Sequence, residues 1–155
     1  MTSLLLLSHF EKDIKKLIEE ISLYKNESDL WILKGDGSTS LTTGIKNSPG
    51  TLALHITGNL KHFIGAQLGK TGYIRERDKE FSDRNVSKEN LLKGLNEALE
   101  IVKTTLPKLS DEDLKKDFPI PFLEKIRPTL EILFILYGHL NYHLGQLNYH
   151  RRILE

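Results

Sequence analysis

Apolar residues recur at helical spacing along four long segments of the chain. The second segment begins with Ser48 and Pro49, a serine N-cap followed by a proline at the first helical position. It should continue to about residue 68, because Gly69 follows and glycine commonly ends a helix. The first segment, residues 3–25, is predicted to be an amphipathic helix, with apolar positions at Leu6, Phe10, Ile14, Leu17 and Ile21.

The other two long helices are predicted in the second half of the chain. The third begins at Ser87 and ends before Pro107, with leucines at helical spacing between them. Residues 110–113 have the pattern of a capped short turn. The fourth helix begins near Pro128 and continues to the C-terminus. Its residues 130–137 are apolar on nearly every side, so we expect it to be the most buried helix.

The segments between these helices are long and carry only weak strand signals. Residues 117–123 contain two prolines, which disfavours a strand. Each connection spans well over ten residues, whereas helix bundles usually use loops of about 2–8. The expected fold is therefore all-α, a single domain of residues 1–155 built as a four-helix bundle. Its long connections allow two successive helices to run parallel.

The composition is ordinary for a globular protein and disfavours several functions. The net charge is +1, from 22 basic and 21 acidic residues, and no basic stripe indicates a nucleic-acid partner. No apolar run reaches the ~18 residues of a membrane span. The chain has no cysteine, which removes disulfides, thiolate metal sites and a cysteine nucleophile. We therefore expect a cytoplasmic protein without nucleic-acid or membrane partners.

Three histidines have the spacing and the surroundings of metal ligands. His139 and His143 are four residues apart on one face of the fourth helix. They follow an apolar stretch, in which burying an unpaired polar group costs about 1–3 kcal/mol. His55 lies on the second helix, in the apolar segment LALHITGNL. Three histidines from two facing helices leave coordination positions open, as in catalytic zinc sites. The alternative is buried histidines held by ordinary hydrogen bonds.

The remaining histidines are not expected to be ligands. His62 lies seven residues beyond His55, about 10.5 Å along the helix axis, so we expect it at the rim or the surface. His150 is equally far from His143 and lies in the last turn, where a cation suits the helix dipole. His9 has no histidine neighbour in the first helix.

The last helix also contains a repeat, because Leu-Asn-Tyr-His occurs at residues 140–143 and again at residues 147–150. A repeat of seven residues is typical of a helix that keeps one face in a seam. His143 and His150 are two turns apart and cannot share one ion. The repeat is therefore interpreted as the consequence of one helix face turned toward the core.

Two amides are candidates for supporting the predicted site. Gln146 follows His143 by three residues, and Asn59 follows His55 by four. Either amide is placed to hydrogen-bond an imidazole or a bound ligand, and the alternative is that both are ordinary polar residues of a helix. No glutamate follows His139 directly, so the His-Glu-x-x-His motif of metalloproteases is absent.

Two loops are expected to form the walls of a pocket above the site. Trp31 belongs to one loop, and the segment RERDKEF belongs to the other. Arg75 and Arg77 are candidates for holding an anionic substrate, although mixed charge in a loop is more typical of a solvated surface. Asp78 and Phe81 are candidates for anchoring the second loop.

The segments HITGNLKHF, GYIRERDKEF and GHLNYHLGQLNYHRR together resemble the DinB-like superfamily of metal-binding helical bundles, in particular a subgroup of small bacterial proteins. The most specific part is His-x-x-x-His followed two residues later by Gly-Gln. The resemblance implies a bundle of up-down-down-up order, with its second and third helices made parallel by the loop at residues 70–86. It also implies a metal triad of His55, His139 and His143.

Some members of this superfamily are transferases or isomerases that depend on low-molecular-weight thiols such as bacillithiol or mycothiol. Three histidine ligands are closer to the bacillithiol-transferase branch than to the isomerases, in which one ligand is a glutamate. The resemblance implies a divalent transition metal, with zinc or nickel ahead of iron or manganese. It further implies a low-molecular-weight thiol as co-substrate. A homodimer is also expected.

A thiol bound to such a metal is deprotonated near neutral pH. The predicted reaction is therefore attack of a thiolate on an electrophilic carbon, in a metal-dependent S-transferase, whereas bound water would favour a hydrolase. Two other functions fit the same residues. One is a bundle whose ion is structural or sensory, and the other is an interaction module that dimerises through a bundle face.

Overall fold

The computed structural model describes residues 2–33 and 47–155. Within these ranges the chain is all-α: no strand forms, and there are only two isolated bridges, Asp117 with Pro128 and Phe122 with Lys125. None of the described helices is both long and apolar enough to cross a membrane. The α-helices are α1 (Thr2–Ser22), α2 (Pro49–Leu60), α3 (Arg77–Ser82), α4 (Lys88–Thr105), α5 (Asp111–Lys115) and α6 (Thr129–Ile153).

Three shorter elements complete the helical structure. Two are 3₁₀ turns, Glu27–Trp31 before α2 and Leu106–Lys108 after α4, and the third is a π-helical segment, Lys61–Leu68, that continues α2. The second predicted helix therefore ends where expected, but its last two turns have π rather than α hydrogen bonding. Helix α3 was not predicted, because six residues are too few for a helical period to stand out.

Serine caps begin helices α2, α4 and α5, as the sequence predicts. The Ser48 hydroxyl accepts a hydrogen bond from the Thr51 amide, and the Ser87 hydroxyl accepts one from the Asn90 amide. Ser110 forms a full capping box at the start of α5. Each cap satisfies an amide that has no partner inside its own helix, so these boundaries are set locally.

The core is formed mainly by the inward faces of α1, α2, α4 and α6. All five apolar residues predicted for the inner face of α1 are buried. Helix α2 is the most enclosed, with ten of its 12 residues buried, whereas only seven of the 25 residues of α6 are buried. The prediction that the last helix is the most buried is therefore wrong. Its apolar stretch covers the outer face as well, where Phe134 is 57% exposed.

Three contacts between side chains or backbone show which parts of the long helices lie together. Buried Glu20 of α1 forms an ion pair with Arg151 near the end of α6, at 2.7 Å. The Lys88 ammonium, at the start of α4, donates to the Tyr24 carbonyl just beyond α1. A Cβ at Gly94 of α4 would lie 3.2 Å from the side chain of Thr57 of α2.

Candidate metal centre

Three imidazoles from α2 and α6 converge on one point. His139 Nε2 lies 3.1 Å from His55 Nε2 and 3.1 Å from His143 Nε2. The two α6 rings are neighbours because residues four apart share a helix face, whereas His55 is brought to them by the packing of α2 against α6. We call these three residues the histidine cluster. Four-coordinate zinc, with zinc–nitrogen distances of about 2.0–2.1 Å, requires nitrogens about 3.3 Å apart, close to the separations in this cluster.

Hydrogen bonds at the far side of two rings determine where their protons lie. His55 Nδ1 is 2.9 Å from Glu80 Oε2, and an ionised carboxylate only accepts, so His55 Nδ1 carries the proton. His143 Nδ1 lies 2.7 Å from Gln146 Oε1 and donates to that amide oxygen in the same way. In the neutral form of each ring, Nε2 therefore presents a lone pair to the centre of the cluster, as in metal-ligating histidines.

His139 has no such partner at its outer nitrogen. Its Nδ1 is buried and has no hydrogen-bond partner among the residues that the structure describes. A proton on its Nε2 would serve only one of the two lone pairs that face it, from His55 and His143. A cation at the centre would bind the lone pairs of all three Nε2 atoms together, so the donor set fits a divalent ion.

Glu80 is itself held in place by an ion pair with Arg75. Arg75 Nε and one terminal nitrogen lie 2.7 and 2.8 Å from the two carboxylate oxygens, a bidentate arrangement. Burial by itself would raise the pKa of Glu80, but the hydrogen bonds from His55 and Arg75 outweigh it, and the pKa lies below its ordinary value. Glu80 therefore stays ionised at neutral pH and remains an acceptor for His55.

Glu80 reaches His55 because α3 lies directly on α2. The close approach occurs at Gly58, where a Cβ atom would lie 2.7 Å from the Glu80 carboxyl carbon and closer still to Oε1. Real Cβ contacts are ordinarily 3.4–4 Å. Any side chain at this position of α2 would therefore displace the carboxylate from His55.

The α6 histidines of the cluster are neutral near pH 7. Burial, together with the neighbouring rings of His143 and His55, lowers the pKa of His139 to about 4. Burial also lowers the pKa of His143, against the opposing effect of its hydrogen bond to Gln146. Neutral imidazole is the form that binds a metal.

The residues predicted to lie beside the site differ in what they contact. Gln146 contacts His143 directly. Asn59 is buried one turn after His55, and its Oδ1 has no partner among the described residues. Trp31 packs against Gly50, at the start of α2, and its indole nitrogen is likewise buried without a partner in the described part of the chain.

The two arginines of the segment RERDKEF differ in their exposure and in their partners. The side chain of Arg75 is only 11% exposed, so interpreting it as part of a solvated surface is wrong, and its charge is committed to Glu80. Arg77 is exposed, and its guanidinium lies 5.0 Å from the centre of the Phe81 ring. Phe81 in turn contacts His55, with ring centres 4.9 Å apart. An open cavity of about 420 Å³ is lined by Arg77, Asp78, Phe81 and Ser82.

Of the remaining histidines, His150 differs from expectation. His62 is partly buried, which agrees with the expected rim position, and burial lowers its pKa. His150 was predicted to be a cation at the helix end, but its Nε2 donates to the Ile32 carbonyl and its Nδ1 lies 3.0 Å from the Tyr24 hydroxyl. Burial lowers the pKa of His150, so it is neutral near pH 7 and the prediction is wrong. His9 is exposed and stays outside the cluster.

Sequence reasoning missed Glu80. It follows His55 by 25 residues and lies in a segment of mixed charge, so no spacing rule connects the two. Only the contact between α3 and α2 reveals that it orients the ring.

Comparison with known proteins identifies a family for this chain. A search of the curated proteins finds no match. Residues 9–155 match the family described as "Protein of unknown function (DUF1572)". The match covers nearly the whole chain, including the histidine cluster and Glu80, and the chain belongs to this family.

Proposed function

We propose that this protein binds one divalent transition-metal ion through Nε2 of His55, His139 and His143, and that it uses the remaining coordination positions for a reaction of a low-molecular-weight thiol. The observation that carries the proposal is the convergence of three Nε2 atoms, two of which have their lone pairs directed inward by Glu80 and Gln146. Three neutral ligands with open positions are typical of catalytic rather than structural zinc.

The chain's own residues prepare the site in three ways. Glu80 and Gln146 hold two rings in the ligating tautomer, and Arg75 keeps Glu80 ionised. A divalent ion held by these three histidines would lower the pKa of a bound thiol or water molecule. Because the chain contains no cysteine, the thiol comes from a co-substrate. Phe81 contacts His55 and also lines, with Arg77, an open cavity that we propose as the entrance for an electrophilic substrate.

Imidazole ligands suit zinc, nickel, iron and copper. We propose zinc or nickel as the resident ion, with iron or manganese as the next candidates. The 3.1 Å separations of the nitrogens are close to the spacing expected for four-coordinate zinc.

Metal binding is tested on untagged protein that has been stripped with a chelator. Titration with zinc or nickel is expected to reach one equivalent per chain, and His139→Ala should abolish this binding. His9→Ala, an exposed histidine of α1, is the matched control and should bind normally. Less than about a tenth of an equivalent, with no binding on titration, would rule out the metal site.

The thiol reaction is tested with the metal-loaded protein, a panel of low-molecular-weight thiols and an electrophile such as monochlorobimane. We expect a conjugate that depends on the metal and is lost in His143→Ala. If the protein binds metal but forms no conjugate across a broad panel, the transferase proposal fails. A large loss of melting temperature on metal removal would then favour the alternative of a structural ion.

We also propose that the four long helices α1, α2, α4 and α6 are arranged up-down-down-up. The Glu20–Arg151 ion pair supports parallel α1 and α6, and the Lys88 contact with Tyr24 supports antiparallel α1 and α4. The closeness of Thr57 to Gly94 and the ion pair of Lys61 with Glu97, one turn further along both helices, support parallel α2 and α4.

A further inference from the structure

The seven-residue repeat of α6 is longer than its Leu-Asn-Tyr-His unit. Residues 138–144 and 145–151 both read Gly-x-Leu-Asn-Tyr-His-x. The core explains the inward half of the repeat: both leucines are fully buried, and both histidines are hydrogen-bonded inside the chain. It does not explain the glycines and tyrosines, so interpreting the whole repeat as a consequence of core packing is incomplete.

The unexplained half of the repeat forms a continuous outward stripe. Tyr142 is 65% exposed, Tyr149 is 71% exposed, and Phe134 lies two turns before Tyr142 on the same side of the helix. Gly138 and Gly145 lie between them and are also exposed. We call these five residues the α6 outer face. It is aromatic, and it spans about 22 Å of helix.

The two glycines of the outer face have no explanation inside the chain. A Cβ atom built at Gly138 or Gly145 would meet nothing within 4 Å. At Gly50, Gly58 and Gly65 the same atom would come within 3.0 Å of a neighbouring side chain, so those glycines permit close packing. Glycine inside a helix lowers stability relative to alanine. Two glycines with free space around them therefore indicate a close approach by another molecule.

The outer face is symmetric about a point between Asn141 and Tyr142. Gly138 and Gly145 are equally far from this point along the helix, and so are Phe134 and Tyr149. Further from the point, the same relation holds between Glu131 and Arg152 and between Leu130 and Ile153. A two-fold axis through that point would place each residue opposite its counterpart in a second copy, as an isologous interface requires.

Charge decides the direction of the pairing. Glu131 and Arg152 are both exposed, and an antiparallel pair would bring each glutamate to the partner's arginine. A parallel pair would place like charges opposite each other. Glu131 also pairs with Arg127 of its own chain, which is one turn before it and does not occupy the outer face.

We propose that the α6 outer face is the interface of a homodimer, in which two α6 helices pack antiparallel about a two-fold axis between Asn141 and Tyr142. The glycines let the two backbones approach, because the distance between packed helices depends on the side chains at the contact. The aromatic rings cover the glycines of the partner helix. The Tyr142 ring lies 5.1 Å from the His143 ring, so the interface adjoins the histidine cluster without depending on a metal.

The absence of cysteine makes disulfide mapping a direct test. Under mild oxidation Asn141→Cys, next to the axis, should form a disulfide-linked dimer. Phe134→Cys alone and Tyr149→Cys alone should not, because each residue lies about 22 Å from the same residue of the partner, far beyond disulfide reach. A mixture of the Phe134→Cys and Tyr149→Cys proteins should cross-link.

Each other outcome of the mapping overturns the proposal. Cross-linking of Phe134→Cys with itself would indicate a parallel pair. Equal cross-linking of Thr104→Cys, an exposed control on α4, would indicate random collision. No cross-link at any position, with the wild type monomeric in sedimentation at concentrations on the order of 100 μM, would mean that the face serves something other than a second copy.

A charge placed in the interface tests the same proposal without cysteine. Gly145→Lys has free space in the monomer, so its melting temperature should not fall below that of the wild type at concentrations where both proteins are monomeric. Its dimer dissociation constant should nevertheless rise at least about tenfold. Thr104→Lys is the matched control and should leave both unchanged. An unchanged dissociation constant for Gly145→Lys would overturn the proposal. The cross-linking and dissociation experiments are all done on metal-free protein, so their outcome does not depend on whether the protein binds a metal.

Discussion

Substituting alanine for Gly58 should be destabilising, although glycine to alanine inside a helix ordinarily stabilises by about 1 kcal/mol. The new Cβ would lie 2.7 Å from the Glu80 carboxyl carbon, where ordinary contacts begin at 3.4 Å. The carboxylate must therefore retreat by at least about 0.7 Å. Its hydrogen bonds of 2.9 Å to His55 and 2.7 Å to Arg75 cannot both survive that movement.

The expected change in stability is the sum of two destabilising contributions and one smaller stabilising contribution. Overpacking of a close contact costs about 1–3 kcal/mol, and leaving a buried polar partner unsatisfied costs about 1–3 kcal/mol more. Together they exceed the helix-propensity gain of about 1 kcal/mol, so Gly58→Ala should lower the free energy of unfolding by about 1–5 kcal/mol. Loss of the carboxylate that orients His55 should also weaken zinc binding by about 10–100-fold.

Urea unfolding of the metal-free protein, followed by circular dichroism, measures the stability change, and competition with a chelating indicator measures zinc affinity. The control is the same substitution in a Glu80→Ala background, where no carboxylate remains to clash. There Gly58→Ala should stabilise by about 1 kcal/mol, so the sign of its effect should reverse between the two backgrounds. If Gly58→Ala stabilises the wild type as well, the reasoning about Glu80 is refuted.

Three further substitutions have defined expectations. Glu20→Ala should lower the free energy of unfolding by about 1.5–3 kcal/mol, because it removes a buried acceptor of Arg151 and Asn148, although Arg151 keeps its ion pair with Glu155; urea unfolding measures this, and a loss below about 1 kcal/mol would contradict it. The pKa of His150 is lowered in the folded state, so the unfolded state binds more protons as the pH falls below about 6.5, and stability decreases. His150→Gln should reduce this loss between pH 7 and pH 5.5, by at most about 1.4 kcal/mol per pH unit, and an unchanged slope in urea midpoints would contradict it. Gln146→Ala should weaken zinc binding by only about 10-fold, since Gln146 is exposed and water can replace its amide oxygen; a loss as large as that of Gly58→Ala would contradict this ranking.

Local features of the sequence determined the helices and one half of the site. The caps at Ser48, Ser87 and Ser110 depend on residues three positions away, so they are predictable without knowledge of the fold. The proximity of His139 and His143 follows from helix geometry alone. The inward face of α1 follows from the spacing of its apolar residues.

Packing between helices determined the rest. Glu80 orients His55 only because α3 lies on α2 at Gly58. The charge state of His150 depends on its burial against Tyr24 and Ile32, which its position in the last turn does not reveal. Apolar residues surround much of α6, and their periodicity cannot tell which side meets the core, because burial depends on neighbouring elements that are distant in sequence. The sequence therefore determined which helices form and which histidines pair on α6, whereas the tertiary structure decided which side chains orient the cluster and which face of α6 stays exposed.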